Sequence, residues 1–441
     1  MKLSSTLIWL GVIGFMLVLL AAFWALILTG NFPSILALLP TDTPTPTAAN
    51  TATPAPTATA TPSPMATATP TPEGASPTPT SAPTDTPTPL PPFPTPQPAG
   101  ELPERPLRLG YMSGTRGGEG VEWEIFVAEA DGSNPENITN NPAFDAFPIW
   151  SPYSERLAWI TDRYGEGVDI VVADIAGNKL ANVTNQPESD NFGAAWSPNG
   201  QLIAYVSTRY RDAEVLVSAL DGATFNLSDS EANDIFFDWS PACLELKAGD
   251  DWSKCQLLIG SDRSRERGLA EGEYTLYLVS ADGKEFNFVL DVDLQVLEAV
   301  FSPDGQQVAY LKGDHAAEST DIYLLNLSSQ EETRLTENED VEQAIAWSPS
   351  GEVIAYISEA TGDNDIYTVS VVDGQITNLT DNDEEDALNT DFAWSPDGQQ
   401  LLFSTNRDGN PEIYVMDADG GNPTNLTNTP TTAEIEAFWI R

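Results

Sequence analysis

Apolar and polar positions change rhythm three times along this chain. From Leu7 to Leu28 (LIWLGVIGFMLVLLAAFWALIL) no charged side chain interrupts a run about as long as a bilayer core requires. Residues 41–98 then hold almost nothing that could enter a core, with Pro at nearly every second or third position. From Arg108 onward short alternating runs such as QLIAYVS and EVIAYIS recur between Ser-Pro-x-Gly and Asp-Gly turns. These rhythms predict one membrane helix, one extended spacer and one all-β body.

The body is a repeat. Its clearest copy is DFAWSPDGQQLLFSTNRDGNPEIYVMDADGGNPTNLT, residues 391–427, and the phrase returns at 344–380 and 193–228. The aromatic before each Ser-Pro is Trp150, Trp196, Trp239, Phe301, Trp347 and Trp394. Trp439 holds the same place without a Ser-Pro, and the successive spacings are 46, 43, 62, 46, 47 and 45. Each unit carries four strand signals: an apolar strand ending at the Trp, an alternating strand, a β-rich strand, and a final strand ending Asn-Leu-Thr. Four-stranded units repeating every 45 residues or so predict propeller blades. The first unit, from Arg108, lacks the Trp strand, whereas the last segment, IEAFWIR, is a Trp strand alone. Joined, they make one blade and close the ring, removing exposed edges. The expectation is a seven-bladed β-propeller with three-plus-one closure, or six blades if the fourth unit is irregular.

These residues resemble the WD40-like (PD40) repeat family of TolB-type propellers, with its W-S-P-D-G, I-A-Y, I-Y-V-x-D-x-D-G and L-T elements. The resemblance covers nearly all of 105–441. It implies the propeller fold, but without the α/β domain that precedes the propeller in periplasmic TolB, and with seven blades rather than six. Related propellers precede hydrolase domains in prolyl-oligopeptidase-type enzymes; no such domain is expected after Arg441 here.

Charge sharpens the domain reading. The formal net charge is −47; setting aside Lys2, Asp42, Glu73 and Asp85 leaves 18 basic and 63 acidic side chains in residues 101–441. So anionic a body argues against nucleic-acid binding. Lys2 precedes the apolar run and no Lys or Arg follows until Arg105, which places the N-terminus in the cytoplasm. The expected order is a cytoplasmic 1–6, a transmembrane signal anchor at 7–29, a disordered Pro/Thr-rich linker at 30–104, and the propeller at 105–441 on the extracytoplasmic side, in the periplasm or at the cell surface. The linker would form a semi-rigid polyproline II stalk. Its Thr and Ser suit O-glycosylation, and an unmodified spacer is equally consistent.

Candidate chemistry is sparse. No G-x-S-x-G elbow occurs, since Gly110-Tyr111-Met112-Ser113-Gly114 has the wrong spacing, and His315 is the single histidine, in a loop. An enzyme is not expected. Cys243 and Cys255 bracket the insertion behind the 62-residue spacing, and a stapling disulfide is their natural reading outside the cytoplasm. Asp381, Asp383 and Glu385 alternate in the loop joining blades six and seven; they could hold Ca²⁺ but lack an EF-hand's Gly and terminal Glu, and a solvated acidic loop is the other reading. No other cofactor is expected. Arg116, Arg163, Arg209, Arg263 and Arg407 each follow the second strand of a blade, with Lys312 nearby in blade five and Glu359 breaking the pattern. Seven-fold geometry puts them on the face carrying the acidic inter-blade loops of Asp145, Asp190, Asp234 and Asp391. They either brace blade against blade or grip a partner. Of six Asn-x-Ser/Thr sequons, those at Asn137, Asn182, Asn226, Asn378 and Asn425 are the repeat's own final-strand motif, and Asn326 is the sixth. The expected function is non-catalytic binding of a protein, peptide or glycan of the cell envelope. The alternative is a structural or sensory display protein, stabilised by calcium if the acidic loop binds it.

Overall fold

The computed structural model describes residues 106–441 apart from 117–120, 152, 154, 179, 187, 211, 221, 247–251, 264–273, 290–294, 315–318 and 381–386. The expected membrane helix and stalk, His315, and Asp381, Asp383 and Glu385 lie outside the described residues. Among the described residues no helix is long and apolar enough to cross a membrane.

The described residues form seven four-stranded antiparallel sheets, each in simple up-and-down order. Blade 1 joins β28 (Ala433–Ile440) to β1 (Arg108–Arg116), β2 (Val121–Glu129) and β3 (Glu136–Asn137). Leu109 pairs with Trp439 and Met112 with Ile435, so the closure is three-plus-one. Blades 2 to 7 start at β4 (Asp145–Ser151), β8 (Asn191–Trp196), β12 (Asp234–Trp239), β16 (Gln295–Phe301), β20 (Glu342–Trp347) and β24 (Asn389–Trp394). The count is seven, and the unit with the 62-residue spacing is a regular blade carrying an insertion.

The first strand of each blade is innermost, and indoles tie successive ones together. Trp196 Nε1 donates to Ile149 O (3.3 Å), Trp239 to Ala195 O (3.1 Å), Trp347 to Val300 O (3.4 Å) and Trp439 to Ala393 O (3.3 Å). Each first strand also carries a register shift near its middle, with positive φ at Phe147, Gly193, Ala344 and Glu436 in four of the seven. Such bulges add the local twist that a closed ring of blades requires. The apolar core lies between the sheets: Ile354 and Tyr356 of blade 6 pack with Ala309 and Leu324 of blade 5, and Leu109 of blade 1 with Leu402 of blade 7. Aromatic pairs directly opposite in register, Tyr310 with Tyr323 and Tyr356 with Tyr367, stack at 5.7 and 5.5 Å across each blade's middle strands.

The final-strand Asn-x-Thr phrase has a structural task. In blade 6 the Thr380 hydroxyl accepts the Ile366 N–H (2.9 Å) and donates to the Asp365 carboxylate (2.8 Å). Asn378 donates from Nδ2 to the same carboxylate (2.9 Å) and accepts the Thr380 N–H. Blade 2 repeats this with Thr184, Asp169 and Asn182. The arrangement stitches outer strand to middle strand through a buried carboxylate, so periodicity and not glycosylation accounts for these sequons. Thr380→Val is expected to leave Asp365 short of a donor and Ile366 short of an acceptor. Thermal and urea melts should show a loss of about 2–3 kcal/mol.

Cys243 and Cys255 form a disulfide, both fully buried, within the insertion of blade 4. The insertion docks on the neighbouring blade through one substitution in the repeat. Where other units carry Asp after Ser-Pro (Asp304, Asp397), blade 3 carries Asn199. Its Oδ1 accepts the Ser197 hydroxyl as those aspartates accept theirs, and its Nδ2 donates to Leu246 O at 2.7 Å. An aspartate could not supply that donor. Asn199→Asp is therefore expected to cost about 1 kcal/mol, read as a lower melting temperature with an unchanged circular dichroism spectrum.

Candidate functional site

The face formed by the loops after each second and each fourth strand carries the arginine positions. Arg163, Arg209, Arg263 and Arg407 each lie two residues beyond a second strand, whereas Arg116 is the last residue of β1. The four acidic positions divide differently from the sequence expectation. Asp145 and Asp234 begin β4 and β12, and Asp391 is the third residue of β24, so all three are strand residues and not loop residues. Only Asp190 belongs to an inter-blade loop, directly before β8. The reason is register: Asn191 and Asn389 occupy the strand-start place that Asp145 and Asp234 hold in their blades.

Two of the arginines are committed to the fold. One terminal guanidinium nitrogen of Arg163 donates to both Asp145 oxygens at 2.7 Å, and Arg163 Nε donates to Thr161 Oγ1 at 3.0 Å. Asp145 is fully buried and also accepts from Trp159 Nε1 and Asn141 Nδ2, both at 2.9 Å. Arg263 meets buried Asp234 at 3.0 and 3.1 Å and lies over Phe286, 3.7 Å from the ring centroid. Burial raises the Asp234 carboxyl against the opposing pull of Arg263. Removing either partner would strand a buried charge.

Arg209 and Arg407 differ. Neither forms an ion pair among the described residues. Arg407 lies over Phe403 and Tyr414 at 5.3 and 5.0 Å, and the Arg209 Nε is buried without a hydrogen-bond partner. Beside Arg163 and Arg209, on adjacent blades, Tyr164 and Tyr210 are 43% and 47% exposed. Large aromatics next to arginine on a loop face have the composition of protein-binding hot spots. Asp190 takes the Val168 N–H at 3.3 Å, and burial pushes its carboxyl up.

A second acidic group sits on the innermost strands, and apart from Asp391 the sequence reading missed it. Asp238 accepts the Phe301 N–H of the next blade (2.9 Å), Glu298 the Ile345 N–H (3.3 Å), and Asp391 the Glu436 and Ala437 N–H groups (3.1 and 3.4 Å). Confinement among the strands pushes Asp238 and Glu298 up to about 7, with Asp238 adding to the rise of Glu298. Asp391 is raised by burial. Glu436 rises to about 8 through confinement first and the Asp391 charge second. Part of Glu436 is exposed, so its stability contribution is smaller than that of a fully enclosed acid. The available signal was an acid within a few residues of the repeat aromatic in an otherwise apolar strand, as in FFDW, LEAVF and IEAFW. Among the described residues no group of three or more His, Cys, Asp or Glu converges as a metal site would require.

Geometry and closure define a seven-bladed, four-stranded β-propeller joined by strands from its first and last blade segments. Residues 263–437 match the family model described as the TolB beta propeller domain (PD40). The chain is 28% identical over 244 residues to the Tol-Pal system protein TolB of Francisella tularensis subsp. mediasiatica, covering 54% of this chain and 51% of that protein. It therefore spans about half the length of that relative. It is 23% identical over 209 residues to the uncharacterized peptidase YuxL of Bacillus subtilis, covering 46% of this chain and 27% of the peptidase. Among solved structures, the β-propeller domain of the Trilobed protease from Pyrococcus furiosus superposes with TM-score 0.53 at 13% identity, covering 74% of this chain and 95% of that one. That domain is described as having an open velcro topology, whereas β28 closes the ring here.

Proposed function

We propose that this propeller is a non-catalytic binding platform for a protein or peptide of the cell envelope, held outside the cytoplasm by an N-terminal membrane anchor and a Pro/Thr-rich stalk. The observation that carries the reading is the pair of exposed tyrosines, Tyr164 and Tyr210, beside Arg163 and Arg209 on adjacent blades of the face that carries the arginine positions. Similarity to a Tol-Pal system protein supports an envelope setting, and the uninterrupted apolar run at 7–28 supports the anchor. The acidic body would favour encounter with a basic partner and repel acidic surfaces.

The test is affinity capture from solubilised native membranes with the full chain as bait, beside a variant carrying Tyr164→Ala, Tyr210→Ala and Arg209→Ala. Circular dichroism and melting must show both folded. A discrete partner retained by the parent and lost by the variant is the expected result. Equal capture by both chains removes the tyrosine face from the reading. No capture at low or moderate salt, with or without calcium, favours a display role. Melting with added Ca²⁺ and with chelator then reports whether the acidic loop at 381–386 takes calcium.

A further inference from the structure

The seams between blades are not built alike. The indole-to-carbonyl bonds of Trp196, Trp239, Trp347 and Trp439 span seams 2/3, 3/4, 5/6 and 7/1. The carboxylates Asp238, Glu298 and Asp391 span seams 4/5, 5/6 and 7/1. Among the described residues, two seams have neither device. Trp394 at seam 6/7 and Trp150 at seam 1/2 hold the repeat's indole position, yet each Nε1 is buried without a partner. Two further buried polar atoms without partners, Ser358 Oγ and Asn389 Oδ1, sit in the blades flanking seam 6/7.

Among the described residues, the polar contacts that cross these seams are made by other groups than an innermost-strand indole or carboxylate. At the rim of 6/7, Asn389 donates from its N–H (3.1 Å) and Nδ2 (2.7 Å) to Asn364 O, with longer Nδ2 contacts to Thr380 Oγ1 (3.3 Å) and Asp365 Oδ1 (3.5 Å). Between β4 and β1, at 1/2, the Phe147 N–H approaches Met112 Sδ at 3.3 Å, and a thioether is a weak acceptor. The linker residue Asn141 also bridges 1/2, donating from its N–H to Glu124 Oε1 (3.1 Å) and from Nδ2 to Asp145 Oδ2 (2.9 Å), and packing does the rest, Phe403 with Ile357 at one seam and Ile125 with Trp159 at the other. Sub-global opening starts where bonds are fewest and buried polar groups already lack partners.

We infer that the ring parts at these two seams, with blades 7 and 1 moving as one clasped unit against blades 2–6. The Asn389–Asn364 tether serves as the hinge, and seam 1/2 is where the ring separates. Trp439 and Asp391 hold the moving pair together, and the indole and carboxylate clasps hold the other five.

Indole hydrogen exchange tests this on the full chain labelled with ¹⁵N-tryptophan, resonances being assigned from Trp→Phe variants. The Nε1 of Trp150 and Trp394 is buried and that of the other four is hydrogen-bonded, so exchange requires opening. Trp150 and Trp394 are expected to exchange at least ten-fold faster than Trp196, Trp239, Trp347 and Trp439, with a shallower urea dependence than global unfolding. Rates within two-fold across all six would overturn the proposal. A second measurement compares melting of Trp394→Phe with Trp196→Phe. Both lose similar volume, but only the second loses a bond, so Trp196→Phe should fall at least twice as far. An equal fall would mean that the Trp394 N–H has a partner and the seam is clasped.

Discussion

A chain ending at Thr432 is expected to lose the cooperative unfolding transition of the parent protein. The truncation removes β28, and with it the partner of β1 along Arg108–Gly114. Ile435, Ala437, Trp439 and Ile440 are all buried, and their loss uncovers Leu109 and Met112, both fully buried. At roughly 1.5–3 kcal/mol for each large apolar side chain, the removed burial is about 5–9 kcal/mol. That is comparable with the whole stability of an ordinary domain, about 5–15 kcal/mol. The Trp439 bond to Ala393 and the Asp391 clasp on Glu436 and Ala437 go with it. Thermal melts by circular dichroism, with limited proteolysis, check the result. A truncated chain melting within about 5 °C of the parent would mean that the three-plus-one closure contributes little.

The second large effect is a stability that declines as pH rises through neutrality. Asp238, Glu298, Asp391 and Glu436 have folded-state values raised above the unfolded ones, as do Glu214 and Glu342, both pushed up to about 7 by burial. A raised acid holds its proton more tightly folded than unfolded. Its contribution is therefore present below the ordinary carboxylate range and is lost as pH climbs towards 7 to 8. The body's negative self-repulsion grows over the same interval. Exposed turn carboxylates act oppositely: Ser-donated hydrogen bonds lower Asp304, Asp373 and Asp397, so their smaller contribution is lost only as pH falls below about 4. Melting temperature is expected to peak between about pH 4.5 and 6 and to fall by at least ~5 °C by pH 8.5. Asp238→Asn combined with Glu298→Gln should flatten that slope. A profile flat from pH 5 to 8.5 in the parent would show that the innermost-strand acids keep ordinary values.

Much of the candidate face was legible because periodicity is a local property. Arginine two residues past a second strand recurs in the text of the sequence, and the structure places Arg163, Arg209, Arg263 and Arg407 there. Which of them are occupied was not legible. Arg163 and Arg209 follow near-identical strands, yet only Arg163 meets a buried aspartate, because β8 begins with Asn191 where β4 begins with Asp145. Treating Asp190 as the equivalent of Asp145 misses this by one residue, and one residue in a strand changes the face a side chain occupies.

By itself the amino-acid sequence determined the four-stranded unit, a recurrence of seven with six left open by the irregular fourth spacing, and the pairing of first and last segments into one blade. Alternation, turn chemistry and spacing are written in consecutive residues, and an unpaired strand edge at each end leaves one economical solution. Only the tertiary structure decided how blade meets blade. The indole acceptors lie more than forty residues from their donors, and Asp238 finds its partner in Phe301. Whether a tryptophan is clasped, as Trp196 is, or buried with an idle N–H, as Trp150 is, depends on where the neighbouring blade's carbonyl falls once the ring has closed. No local pattern carries that distance.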